Sequence, residues 1–211
     1  MTPLRRNIFQ SQIDFGRPST GATHTTLEPT ITPATPTRRP TRHINTTYKI
    51  KNWSLAVREK WLILGDSNVA RFPPFKVTDL QIDSFPGASF RHIQGVLSKM
   101  DPVPMVETLI LSLGLNSRTQ STQTSIKDLQ RLIKVAKTKF PRAEIWLPLI
   151  NFSRGLPQRE QMHLHALNKY IRSNHLFIPE LLRSQFSTER DGIHWTHATA
   201  TRLLQHWSQQ T

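Results

Sequence analysis

Ser67 and His194 are the two side chains in this sequence whose chemistry fits together best. A hydroxyl is a weak nucleophile at neutral pH and needs a base beside it. An imidazole has a pKa suited to that work. The imidazole in turn needs an acceptor that fixes its tautomer and balances the charge of the imidazolium. Asp191 stands three residues before His194 in Asp-Gly-Ile-His-Trp, and in a turn that spacing lets its carboxylate reach the same ring. Ser67 closes Gly65-Asp66-Ser67, directly after the apolar run Trp61-Leu62-Ile63-Leu64. A nucleophile needs that placement, on a tight turn at a sheet edge where backbone N–H groups can meet a developing oxyanion. Two further donors lie between the ends of the chain. Gly87, in Phe-Pro-Gly-Ala-Ser, has no Cβ and can bring its N–H close to a substrate. Asn116, in Leu-Gly-Leu-Asn-Ser, can offer its side-chain amide. Each of these residues is common in plain turns. Their order, and their positions after strands or near the last helix, carry the argument.

The elements that must hold these groups alternate. Apolar runs at 61–64, 80–85, 108–113 and 143–150 read as strands, with a short last strand at 176–178. Helical spacing is predicted for 89–100 with Ser89 as N-cap, for 124–140, for 158–173 and for 197–207. Met162, Ala166, Leu167, Tyr170 and Ile171 are the expected inward residues of the 158–173 helix. Continuous apolar strands alternating with helices imply a parallel sheet covered on both faces. In such sheets, ligands bind outside the carboxyl ends of the strands. Ser67, Gly87 and Asn116 all follow a predicted strand there.

Composition bounds the rest. There is no cysteine, which excludes disulfides, thiol nucleophiles and thiolate metal sites. The residues offer no metal cluster and no glycine-rich phosphate loop, so no cofactor is expected. His163 and His165 lie two apart on a predicted helix and point to different faces. Trp195 reads as a core or cleft wall. No apolar run follows the early arginines and no stretch approaches ~18 apolar residues. A soluble intracellular protein, cytoplasmic or nuclear, with no membrane span is therefore expected. Lys and Arg number 28 against 14 Asp and Glu, a formal charge of +14. The excess is spread over the chain: the first 50 residues hold 7 basic and 2 acidic, the remainder 21 and 12. Such a charge suits anionic partners. Residues 17–47 are rich in Thr and Pro and poor in large apolar groups, which predicts disorder. The domain reading is a disordered basic tail over 1–55 and a folded domain over 56–211. Arg38, Arg39 and Arg42 are the tail residues through which nucleic acid is a possible partner.

The blocks around Ser67, Gly87, Asn116 and His194, with Asp191 three before the histidine, resemble the SGNH superfamily of GDSL-type esterases over residues 60–207. The resemblance implies a flavodoxin-like three-layer α/β/α sandwich and hydrolysis of an ester, often acetyl. It implies a Ser67–His194–Asp191 triad and an oxyanion hole from the N–H groups of Ser67 and Gly87 and the amide of Asn116. Two departures stand out. Ser117 occupies the place of the usual Asp in the third block, and Asn68-Val69-Ala70-Arg71 lacks the common Leu. Gly-x-Ser-x-Gly is absent, which argues against an α/β-hydrolase. The basic Thr/Pro-rich tail before such a domain is also similar to the esterase domains of some eukaryotic retroelements. The alternative to an esterase is a catalytically idle scaffold that binds nucleic acid.

Overall fold

Along each strand the side chains point alternately to two faces, and here each face meets a different layer of helices. The computed structural model describes residues 36–211. Strand β1 (Thr41–Arg42) and the short helix α1 (Lys49–Asn52) come first, then β2 (Trp61–Gly65), β3 (Leu80–Ser84), α2 (Phe90–Ser98), β4 (Thr108–Ser112) and α3 (Thr122–Lys139). β5 (Glu144–Pro148), α4 (Gln158–Asn174), β6 (Leu176–Ile178) and α5 (His197–Gln210) complete the order. All strand pairs are parallel, in the order β1-β3-β2-β4-β5-β6. Leu62, Leu64, Leu109, Leu111 and Leu147 pack under α2, α3 and α4. Ile63, Ile82, Ile110 and Trp146 pack on the other face against Ala200, Leu203, Leu204 and Trp207 of α5. The result is the expected three-layer α/β/α sandwich. The five strands β2 to β6 follow the 2-1-3-4-5 flavodoxin order, whose switch point lies between the strands flanking the reversal, here β2 and β4.

The N-terminal side differs from the compositional reading. Residues 36–55, assigned there to the tail, contain β1 and α1. Polar and aromatic contacts hold them where apolar content alone would not. β1 pairs Thr41 with Asp83 and Arg42 with Ser84. His43 stacks on Phe85 at 3.9 Å and its Nε2 meets Asp83 at 2.8 Å. Trp53 is buried and donates to the Ile44 carbonyl at 2.8 Å. The earlier part of the expected disorder, through residue 35, lies outside the described residues.

Helix α4 buries Leu167 and Ile171 as expected, with Tyr170 partly buried, but its stripe is rotated away from Met162 and Ala166. Met162 and Ala166 are exposed, while His163, Leu164, Leu167, Asn168 and Ile171 face inward. Hydrogen bonds explain the shift, because a buried polar group is tolerated when it is paired. The Asn168 amide accepts from the Ile150 N–H at 2.8 Å and donates to the Ile150 carbonyl at 3.0 Å. His163 meets the hydroxyls of Thr122 at 3.1 Å and Ser125 at 3.3 Å. Among the described residues no helix is long and apolar enough to cross a membrane.

Candidate active site

The turn after β2 is pinned from β4, where the Asp66 N–H donates to the Ser112 carbonyl at 3.4 Å, and from β3. Phe85 N–H donates to the Gly65 carbonyl at 2.8 Å, and the Ser84 hydroxyl donates to the Asp66 carbonyl at 2.8 Å. Asp66 Oδ1 accepts from the Asn68 N–H at 2.9 Å, an Asx-type turn that lifts Ser67 out of an otherwise buried stretch. The turn before α5 is built by a second aspartate. Asp191 Oδ1 accepts from the N–H groups of Ile193 and His194, both at 2.9 Å, with Gly192 at a φ of 68°. That positive φ suits glycine because no Cβ is present to clash.

The two turns meet. Ser67 Oγ lies 3.1 Å from His194 Nε2 across 127 residues of sequence, and His194 Nδ1 lies 2.5 Å from Asp191 Oδ2. An ionised carboxylate can only accept, so the proton sits on Nδ1 and the lone pair of Nε2 faces the serine hydroxyl. Asp191 is held well below the ordinary carboxylate range, first by the side-chain hydrogen bond from His194 and then by the two backbone N–H groups. Asp66 moves the other way. Complete burial pushes it from an ordinary 3.8 up to about 6, and the Asn68 N–H, the His194 charge and the Asn68 side chain offset only part of that rise.

Two backbone donors lie in the turns after β2 and β3. The N–H groups of Ser67 and Gly87 donate to no described residue. Gly87 is third in the turn Phe85-Pro86-Gly87-Ala88, closed by Ala88 N–H on the Phe85 carbonyl at 3.0 Å, and has a φ of 65°. Pro second and a positive-φ Gly third define a type II turn. Asn116 is placed differently from the expectation. Its amide nitrogen donates to Asp66 Oδ2 at 3.0 Å and to the Ala88 carbonyl at 3.1 Å, so both hydrogens are already engaged. To serve an oxyanion, Asn116 must release one of these two partners, of which the Ala88 carbonyl is the uncharged one.

Residues outside the sequence-level set join the site. Asn68 accepts from the Trp195 N–H at 2.9 Å and reaches the Ile193 carbonyl at 3.4 Å. Arg71 donates to the Trp195 carbonyl at 3.0 Å and pairs with Glu189 at 3.1 Å. These two tie the serine turn to the histidine turn. The spacing of Asp66 and Asn68 was the only local signal for such a tie. Trp195 itself is buried against Phe72 and Trp207, as a core wall should be. His163 and His165 share no site: the first is buried and the second is exposed against Phe152. Among the described residues no group of three or more His, Cys, Asp or Glu is placed to hold a metal.

The three tail arginines separate. Arg38 is bound to Glu59 at 2.6 Å and to the Thr78 carbonyl at 2.5 Å, so its charge is locally balanced. Arg39 and Arg42 line a groove of about 650 Å³ with Arg71 and His197. Arg42 also donates to the Ala70 carbonyl at 2.9 Å.

No protein-family model and no curated protein matches the chain. Solved structures do. An aryl esterase from M. smegmatis superposes with a TM-score of 0.55 at 13% identity, over 72% of this chain and 98% of the other. A lipolytic protein of the G-D-S-L family from Veillonella parvula gives 0.54 at 14% identity, over 72% and 96%. A carbohydrate esterase of family 3 from Talaromyces cellulolyticus gives 0.52 at 11% identity, over 72% and 94%. The chain therefore has the fold of the GDSL-type (SGNH) hydrolases.

Proposed function

We propose that this chain is a serine ester hydrolase with Ser67 as nucleophile, His194 as base and Asp191 as the group that orients the base. The observation that carries this reading is the unbroken line from Ser67 Oγ through His194 to Asp191, at 3.1 and 2.5 Å. Structural ion pairs also join His and Asp, but they do not need a serine hydroxyl on the far nitrogen. The structural neighbours, two esterases and a lipolytic protein, support this reading.

In this reaction Ser67 Oγ attacks the ester carbonyl carbon while His194 Nε2 takes the hydroxyl proton. The carbonyl oxygen becomes an oxyanion and meets the N–H groups of Ser67 and Gly87, with Asn116 joining as it leaves Ala88. The intermediate collapses, the ester C–O bond breaks, and His194 returns the proton to the departing alcohol. Water then attacks the acyl-serine with His194 again as base, which releases the acid and restores Ser67. Asp191 stays ionised throughout and stabilises the imidazolium.

The test is hydrolysis of p-nitrophenyl acetate by the purified chain and by Ser67→Ala, with fluorophosphonate labelling in parallel. The parent should turn over and label at Ser67. The variant should lose both, with turnover at least ~1,000-fold down. Equal turnover in parent and variant would end the reading.

A further inference from the structure

Resting on the esterase reading above, we infer that Lys49 is a positioning residue for the oxyanion-binding turn, supplied by the N-terminal arm that composition assigns to a tail. Its Nζ donates to the Gly87 carbonyl at 2.9 Å. Among the described residues this is the only side-chain bond made to Gly87. A Cβ added at Gly87 would lie 2.8 Å from the same nitrogen, so the ammonium sits against the Gly87 α-carbon.

The turn needs such an anchor. Glycine lacks the steric walls that hold φ and ψ in other residues. The next carbonyl, that of Ala88, is held by Asn116 at 3.1 Å. By the mechanism above, that bond loosens when Asn116 turns toward an oxyanion. Lys49 then keeps the direction of Gly87 fixed while its neighbour is released. The positive charge acts as well. A fixed cation beside a donor N–H favours negative charge developing in front of that N–H, and it needs no reorganisation during the reaction.

Lys49 is itself held in place, which separates it from a wandering surface lysine. Ile50 packs so tightly on α2 that a Cβ at Gly95 would meet it at 2.8 Å. Lys99 donates to the carbonyls of Ile50 at 2.7 Å and Lys51 at 3.4 Å, and also to that of Trp53. The Lys49 ammonium lies 5.5 Å from the centre of the Trp53 ring, within cation–π range. Residues 36–55 contain no acidic residue, so no carboxylate on the described part of the arm competes for this charge.

Three variants of the full chain test the role with p-nitrophenyl acetate. Lys49→Met removes bond and charge, Lys49→Gln keeps a donor without the charge, and Lys49→Arg keeps both. A whole oxyanion donor is worth ~100- to 1,000-fold in turnover, so its support should be worth roughly 10-fold. Lys49→Met should lower kcat roughly 10-fold with KM within about twofold, and slow fluorophosphonate labelling of Ser67 in parallel. Lys49→Arg should recover most of the loss, and Lys49→Gln should fall between. If Lys49→Met alters folding, Lys49→Gln and Lys49→Arg at unchanged melting temperature still decide. An unchanged kcat in Lys49→Gln and Lys49→Met, or a loss confined to KM, overturns the inference while leaving the esterase reading intact. Activity that survives Ser67→Ala overturns the esterase reading instead.

Discussion

Two aspartates are coupled to the same imidazole, and the fold drives them in opposite directions. Asp66, two residues into the turn that is closed by β3 and β4, is 3% exposed and its carboxyl is pushed up to about 6. Asp191 has a side chain 48% exposed, yet it is held well below the usual carboxylate range. Exposure alone would keep a carboxylate near its ordinary value, and hydrogen bonds to the charged form explain the rest. Asp191 receives three of them, from His194 Nδ1 and from the N–H groups of Ile193 and His194. Asp66 receives only one backbone N–H, that of Asn68, and the Asn116 amide, while burial works against its charge. The lesson concerns division of labour. The serine turn is rigid because it is buried, and it tolerates a carboxyl poised to hold or lose a proton. The histidine turn is half-exposed, and Asp191 both folds the turn and orients the ring.

The sharpest way to break this contrast is to remove the charge from the exposed partner. Asp191→Asn keeps an oxygen for the two backbone N–H groups but presents N–H to His194 Nδ1. The ring must then take the other tautomer, with its proton on Nε2, and cannot receive one from Ser67. Loss of this acceptor can reach ~10,000-fold in kcat in a buried triad. Water can partly replace it at a half-exposed site, so a fall of roughly 100- to 10,000-fold is expected, with the fold unchanged by circular dichroism. A parent-like kcat would show that Asp191 only shapes the turn.

A smaller effect should come from cutting the tie between the two turns. Asn68→Ala leaves the Trp195 N–H without its acceptor and frees the Ile193 carbonyl. An orphaned buried donor costs ~1–3 kcal/mol of stability. Displacement of His194 by a fraction of an ångström should lower kcat roughly 10- to 100-fold. Melting and turnover should fall together, because one side chain serves both turns. A stability loss without a change in kcat would mean that Asp191 alone positions His194.

How much of this could be read from residues follows the same line between local and distant causes. The strands and most helices were legible because apolar runs and helical spacing are local, and the α/β/α layering follows from their alternation. Ser67, His194 and Asp191 could be put forward as a set only from their order and placement along the chain, because each alone is common in plain turns. Three things were not legible. The structure of residues 36–55 rests on partners far along the chain, such as His43 with Asp83 and Lys49 with Gly87. The inward face of α4 depends on the Asn168 bonds to Ile150, which no hydrophobic count registers. Asn116 matched a donor pattern, but the engagement of its amide hydrogens with Asp66 and Ala88 is a property of the fold.

The buried partner of the pair gives the smallest effect and a distinctive sign. Asp66 has a folded-state pKa of about 6 against an ordinary 3.8, so the native chain holds this proton more tightly than the unfolded chain. Below the unfolded value both states are protonated and Asp66 contributes nothing to the balance. As pH rises toward 6, the unfolded chain ionises first and stability falls, reaching its full loss above 6. At ~1.4 kcal/mol per unit, the loss is at most about 3 kcal/mol. Asp191 carries the opposite sign: its contribution is present above the ordinary carboxylate pKa and fades only as pH drops through its depressed value, and solvent weakens it. Urea unfolding of the parent and of Asp66→Asn between pH 4 and pH 7 separates the two. The asparagine sets an N–H against the Asn116 amide, so the absolute stabilities will differ for that reason alone. The difference between the proteins must nevertheless change with pH, because only the parent titrates at this position. The parent should lose stability relative to the variant as pH rises from 4 to 6 and then run parallel to it. Parallel curves over the whole range would mean that Asp66 ionises as an ordinary carboxylate, and the contrast between the two turns would reduce to their exposure.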